Sequence, residues 1–358
     1  MTRLRLFILV FILTACNLPA APVLRSPAPA GSEVEGPTES ASSPTPSRVA
    51  VSTQISTPQP TPEPDAPLGT DANPIVVALI PSEEREISES AKDVAAQLSN
   101  LTGLAIVPFA PATYSEVVEA LGAGRVHIAW LPPFPYLLAH EKSHADAALA
   151  TTVFGKDLSA AQFLVNKQMV DDRTFTVYFD PATGANLAEA AAALGQFAGK
   201  KPCWTDSYSP TGYVVPLGIL NENGIQTKTG AFVQGHATVV KLLYQNPEGT
   251  NCQFGATLAD GQIFIASGYE DAAERVVIVW ETEAIVPFDG VAYAASLPDE
   301  MRLSVTSALV VMIQTEEGNA ALRDTYQIDG LELADDTFYD ALRRLLEQSG
   351  LALSELVR

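Results

Sequence analysis

Lys201–Leu220 reads KPCWTDSYSPTGYVVPLGIL: a short apolar strand ending at Cys203-Trp204, a cluster of hydroxyl residues closed by Gly212, then an apolar helical segment. A turn that only joins two elements needs Gly, Pro or Asn. It does not need Ser207, Tyr208, Ser209, Thr211 and Tyr213 together. Ser209 suits an N-cap and Pro210 the first helical turn. The amides of Thr211, Gly212 and Tyr213 would then point out of the helix start, with no bulky side chain at Gly212. Such a start suits an oxyanion; the plain alternative is a capped helix whose hydroxyls meet only water. Pro216 lies deep enough to bend this helix or shorten its regular part.

The same alternation runs outward in both directions. Ile75–Ile80 (IVVALI) is a continuous apolar run, the pattern of a strand buried on both faces. An amphipathic helix over about 87–101 follows, then a strand over 104–109 and a helix over 114–121 stopped by Gly122 and Gly124. A third strand, 126–131, runs through Pro132-Pro133-Phe134-Pro135 into a helix over 136–141. After a crossing near 162–167, strands at 174–179, 200–204, 231–234, 252–258 and 276–280 alternate with helices at 187–197, 211–223 and 237–244. Pro287-Phe288 returns the chain, and the remainder reads as helices at 300–313, 318–325 and 336–348. Strands alternating with helices in units of this length imply an α/β architecture with largely parallel sheets. About 285 residues exceed one comfortable core, so two lobes are expected: 74–165 plus 286–358, and 166–285. Ligands of such sheets bind beyond the carboxyl ends of the strands. Those ends are read here at Ser82, 132–136, 207–212, Gly235-His236 and Gln253-Phe254.

The N-terminus sets the compartment. Met1–Arg5 is basic, and Leu6–Leu13 is an apolar run of signal-segment length, too short to span a bilayer. It closes on Leu13-Thr14-Ala15-Cys16, which resembles the lipobox of bacterial lipoproteins. That resemblance implies cleavage after residue 15, acylation of Cys16 and an extracytoplasmic, membrane-anchored protein. Residues 16–73, rich in Pro, Ser and Thr, cannot bury enough apolar surface to offset chain entropy and read as a tether. Cys203 and Cys252 remain, each at the start of a predicted strand. Neighbouring parallel strands in an oxidising compartment favour a disulfide between them, against two unpaired buried thiols.

The net charge of −21 argues against nucleic acid and anionic membrane surfaces as partners. It leaves room for a local anion site, since backbone dipoles act over a single helical turn. His236, at the start of the 237–244 helix, can donate to an anion or only cap its own helix. Tyr136, after WLPPFP, offers a phenol from the opposite lobe or core packing.

Taken together, residues from about 74 to 311 resemble the phosphate, phosphite and phosphonate substrate-binding proteins of ABC transporters. The resemblance rests on Tyr114-Ser-Glu-Val-Val-Glu-Ala-Leu121, HIAWLPPFPYLLA over 127–139, Ser209-Pro-Thr-Gly-Tyr213 with Val215-Pro216-Leu217, Gln234-Gly-His236 and Gln253-Phe-Gly-Ala256. It implies a two-lobed periplasmic-binding-protein-like (type 2) fold with a hinge of two crossing segments. It also implies a monomeric, non-enzymatic receptor that needs no cofactor or metal. Carried over by position, Ser209, Thr211, Gly212, His236 and Tyr136 would hold a small oxyanion or zwitterion, with Ser207, Tyr208 and Tyr213 of the hydroxyl cluster and Gln253 as further candidates, and the ligand would pass to a permease. The chain departs from the family pattern at Pro210, which replaces a hydroxyl residue, at Gln253, which replaces Asp, and at Pro132, which replaces Gly. Competing readings are a sensor working with a membrane signalling partner, a hydrolase pairing Cys203 or Ser209 with His236, and ferric-ion binding through His236 and Tyr208 or Tyr213. Against the hydrolase, no Gly-x-Ser-x-Gly elbow is present. Glu83, Glu84 and Glu86, if they faced the cleft, would oppose a naked phosphate and welcome an amino group.

Overall fold

The computed structural model describes residues 66–358. The expected signal segment, Cys16 and the tether as far as residue 65 lie outside the described residues. The stretch 66–73, read from composition as the end of the tether, is folded onto the body. Gly69, at φ +85°, donates to Asn73 O at 2.8 Å, and Ala105 N donates to Gly69 O at 2.8 Å. Leu68 packs against the neighbouring core, so local backbone pairing overrides a polar, proline-rich composition.

The chain enters through β1 (Ile75–Ala78), β2 (Ile106–Phe109), β3 (Ile128–Leu131) and β4 (Ala145–Thr152). It crosses at β5 (Leu158–Ser159), forms β6 (Ala161–Asn166), the hairpin β7 (Phe179–Asp180) and β8 (Ala185–Asn186), then β9 (Pro202–Trp204). After β10 (Ala231–Phe232), β11 (Phe254–Leu258) and β12 (Val276–Glu281) it crosses back at β13 (Val286–Pro287). There it adds β14 (Gly290–Ala294) and β15 (Gly330–Leu333). Two mixed sheets result, in the orders β15-β4-β14-β3-β1-β2 and β10-β9-β11-β6-β12. The crossings β5 and β13 pair with each other, Ser159 opposite Val286.

Each sheet is less parallel than the sequence implies. β1, β2 and β3 run parallel, as do β9, β10 and β11, but β14 is antiparallel to β3 and β4, and β6 is antiparallel to β11 and β12. The sequence reading misses β4, β14 and β15 because ADAALATT and GVAYA are rich in residues of low strand propensity. Gln162–Asn166, read as the crossing, instead lies in β6 at the centre of the second sheet. The stretch 174–178, read as a strand, forms none; only Phe179 and Asp180 do.

Both faces of each sheet are covered. Ile75, Val77, Ile128 and Trp130 pack under the helices Glu89–Thr102, Asp299–Gln314 and Glu316–Tyr326. Cys203 and Leu164 pack under the helix His236–Gln245 through Val239, Val240 and Leu243. The inner faces share one apolar cluster, with Val76 and Leu131 on one side, Phe163 and Phe254 on the other, and Leu342, Leu345 and Leu346 between them. Those leucines form the apolar face of the helix Asp340–Ser349, which packs on the helix Val215–Glu222. A Cβ on Gly218 would lie 2.2 Å from Leu345 O, so this close crossing requires glycine. This helix, which the sequence reading placed in the first lobe, therefore packs on one it placed in the second.

Capping explains where the helices begin. Thr113, the N-cap of the helix Tyr114–Gly122, accepts from Glu116 N at 3.1 Å, and the Glu116 carboxylate accepts from Ala112 N at 2.8 Å, one residue before the cap. The helix Pro133–Glu141 starts three residues earlier than expected, because prolines are tolerated in a first turn. No helix among the described residues is long and apolar enough to cross a membrane.

Candidate functional site

At the carboxyl end of β9 the chain enters Thr205-Asp206-Ser207-Tyr208 and then the helix start at Ser209. Ser209 Oγ accepts from Gly212 N at 3.0 Å, as its capping role predicts, so the Gly212 amide expected to face an anion is already used by the cap. Pro210–Val214 is a π-helical turn, closed by Val214 N donating to Ser209 O and Val215 N to Pro210 O. The regular α-helix begins only at Val215, with Pro216 in its first turn. The wide turn thus accommodates Pro216, and Pro210, lacking an N–H, leaves Thr211 to supply the first amide.

Thr205 lies at the centre of this end of the sheet. It is fully buried, and its Oγ1 has no hydrogen-bond partner. Its carbonyl accepts from Val233 N and Gln234 N beyond β10, and its amide donates to Gly212 O. A Cβ at position 212 would stand 1.9 Å from Thr205 Oγ1, so glycine alone lets the helix start close over that hydroxyl. Sequence reasoning missed Thr205, although its place one residue beyond a predicted strand was the available signal.

His236 opens its helix after Gly235, whose φ of +122° excludes other residues in practice. Its Nδ1 accepts from Leu258 N at 2.9 Å, at the carboxyl end of β11. Burial holds its pKa below the ordinary value, with Asp206 pulling the other way. The ring is therefore neutral at pH 7 with its proton on Nε2, which leaves an N–H to donate.

Tyr213 packs edge-on against Phe232 (4.8 Å between centroids) and tilts against Trp204 (5.6 Å). Tyr208 is 44% exposed and lies under the Arg358 guanidinium, 4.8 Å from its ring centre. Ser207 Oγ accepts from Arg358 Nη2 at 3.2 Å.

Two expected residues are elsewhere. Tyr136 is 1% exposed, and its hydroxyl donates to Asp336 at 2.9 Å while its ring packs on Tyr339. Because the helix begins at Pro133, the residue is turned into the inner core and its hydroxyl is already committed. Gln253 precedes β11, at the amino end of the sheet, where its Oε1 accepts from Lys201 N at 3.2 Å. The parallel register of Phe254 with Pro202 puts it at the opposite end from Thr205 and His236. The carboxyl end of β11 is Leu258. The sequence reading took Gln253-Phe254 for a carboxyl end, and the structure makes it the amino end of this strand.

From the first sheet, Tyr114 and Ser115 open a helix whose first amides donate to Arg358 O, at 2.9 and 3.2 Å. Asp289, just before β14, has its carboxyl pushed up to about 6 by burial; burial also raises the pKa of Tyr114 and Tyr339, with the Asp289 charge adding to it. Glu83, Glu84 and Glu86 are exposed. A crevice of about 550 Å³, lined by Glu189, Ile219, Trp280, Glu283 and Arg344 among others, is formed by other residues than the Ser209 turn and His236.

Cys203, within β9, and Cys252, just before the parallel neighbour β11, are joined by a disulfide with Cα atoms 5.5 Å apart. The bond removes the thiol that a cysteine hydrolase would need. Among the described residues no group of three or more His, Cys, Asp or Glu is placed to hold a metal ion.

Residues 77–339 match the family described as ABC transporter, phosphonate, periplasmic substrate-binding protein. The fold is similar to that of XAC2383 from Xanthomonas citri bound to chloride ion, with a TM-score of 0.57 and 14% identity over 77% of this chain and 97% of that one. It is also similar to PhnD1 from Prochlorococcus marinus in complex with methylphosphonate, with a TM-score of 0.51 and 12% identity over 77% and 98% of the two chains. A third similar structure is the Mycoplasma hyorhinis protein Mh-p37, a putative thiamine pyrophosphate transporter, with a TM-score of 0.54 and 7% identity over 77% and 98%. No curated protein matches by sequence. With most of its folded part matched, the chain belongs to the periplasmic substrate-binding proteins of phosphonate ABC transporters, a family of extracytoplasmic solute receptors and not of enzymes.

Proposed function

We propose that this protein is a lipid-anchored receptor that closes over a small oxyanion, such as phosphate, phosphite or phosphonate, and delivers it to a membrane permease. Cys16 would carry the anchor, and the segment after it would hold a monomeric body away from the membrane. The two lobes would divide at the paired crossings Leu158–Ser159 and Val286–Pro287, which form a two-stranded sheet of their own.

The observation that carries the reading is a helix start at the carboxyl end of β9, bearing the hydroxyls of Ser209 and Thr211 and packed closely on Thr205 through Gly212, with His236 opening the next helix. His236 Nε2–H adds a neutral donor from the next helix. Closure would exclude water and strengthen each of these hydrogen bonds.

Thermal unfolding of the purified protein with methylphosphonate, phosphate, phosphite and sulfate, together with native mass spectrometry of co-purified ligands, tests the reading. A midpoint rise with at least one phosphorus oxyanion is expected, on the order of 2.7 kcal/mol of stabilisation at a hundred times Kd. No rise with any of them and no co-purified anion would refute it.

A further inference from the structure

Arg358 bridges the two halves of the molecule. Its backbone is held in the first: Arg358 O accepts from Tyr114 N and Ser115 N, Val357 O accepts from Ser115 Oγ at 3.3 Å, and Leu356 and Val357 are buried in the inner core. Its side chain lies in the second: one Nη donates to Ser207 Oγ and the guanidinium lies over Tyr208. Ser207 and Tyr208 immediately precede Ser209, so the guanidinium stands beside the helix start built over Thr205.

Its charge is left open. Arg85, Arg275, Arg302, Arg343 and Arg344 each pair with a carboxylate. No carboxylate among the described residues pairs with Arg358. A guanidinium has five N–H donors in a planar fork, and only one of the Nη groups is used here. Stacking on an aromatic face holds the plane while leaving its edge free for bidentate contact with an oxyanion. An anion approaching a chain of net charge −21 is opposed at long range, and neutral hydroxyls and amides offset only part of that.

We infer that Arg358 is the cationic contact of the bound oxyanion, reaching from the first half of the molecule to the anion site on the second. This assignment rests on the oxyanion reading above. It gives the site a preference for charged phosphorus or sulfur oxyanions over neutral solutes. It also couples ligand to closure, because the residue is anchored on one half and holds the ligand against the other.

The test is isothermal titration of the full chain with methylphosphonate and with inorganic phosphate, using wild type, Arg358→Ala, Arg358→Gln and Arg358→Lys. Losing a charge-assisted hydrogen bond should raise Kd on the order of 10- to 100-fold in the Ala and Gln variants, with Lys recovering part of the loss. Increasing ionic strength should weaken wild type more than Arg358→Gln. Unchanged affinity in an Arg358→Gln variant that unfolds at the wild-type temperature overturns the assignment and leaves the oxyanion reading intact. Tighter binding in the Ala variant overturns it too, because the side chain would then be an occupant that the ligand must displace. Loss of the fold in all three variants would make Arg358 a structural residue and equally end the proposal. A wild type that binds neither anion removes the underlying reading and this inference with it.

Discussion

Replacing Asp289 with Asn should stabilise the protein at neutral pH and leave it unchanged in acid. Burial pushes the Asp289 carboxyl from 3.8 to about 6. A carboxyl whose folded pKa is raised has its favourable state below the unfolded value and loses it as pH rises through the folded one. Above about 6 the folded protein holds a desolvated carboxylate that the unfolded chain would solvate fully. The interval from 3.8 to about 6, at ~1.36 kcal/mol per pH unit, amounts to roughly 3 kcal/mol. Water reaching the partly exposed edge of the residue lowers this, so roughly 1–3 kcal/mol is expected, or about 2–6 °C for a body of this size. Asn mimics the protonated acid, and the Asp289 carbonyl that accepts from Thr151 N and Oγ1 is untouched. The assay is thermal unfolding by circular dichroism at intervals between pH 4 and 8, taking the difference between Asp289→Asn and wild type at each pH. Other titrating groups cancel in that difference. The gain should be small at pH 4, grow through pH 5 and level off above pH 6.5. A gain of equal size at pH 4 and pH 8, or none at pH 8, would refute the account of a desolvated, unpaired carboxylate.

Three further outcomes follow from the same structure. Removing the disulfide with Cys203→Ser and Cys252→Ser should cost about 4 kcal/mol by loop closure over its separation of 49 residues, read as a lower urea midpoint that reductant reproduces in wild type. His127 is 5% exposed, accepts from Val76 N at 3.0 Å and is held by burial at about 4. Its depressed pKa means stability is full above 6.5 and is lost as pH falls toward 4, by roughly 3 kcal/mol, so His127→Gln should flatten the acid limb of a midpoint-against-pH curve. Gly212→Ala should cost about 1–3 kcal/mol by overpacking against Thr205 and abolish methylphosphonate binding by titration calorimetry; full affinity in that variant would show that the helix start is not the site.

The elements legible in the sequence were those whose signal is local. IVVALI and HIAWL are apolar runs that only a buried strand accommodates, and Ser209-Pro210 marks a helix start through a side-chain acceptor and a missing N–H. The cysteine pair was legible because each residue marks a strand beginning in a chain expected to be exported. The antiparallel strands β4 and β14 were not, because small alanine-rich segments become strands only when a neighbouring edge supplies their hydrogen bonds.

The same distinction governs the site. The chain alone determines which polar groups gather at Ser207–Tyr213, since they are contiguous and their helix start needs no partner. Tertiary structure alone decides that Tyr136 turns into the core, that Gln253 lies at the far end of its sheet, and that Thr205 and Arg358 join the cluster. These outcomes depend on sheet register, helix rotation and a long-range crossing, which are set by the packing of segments far apart in the chain, such as Tyr114 with Arg358 and Ala78 with Tyr326. No local pattern encodes such contacts, because their free energy appears only when both surfaces are already built.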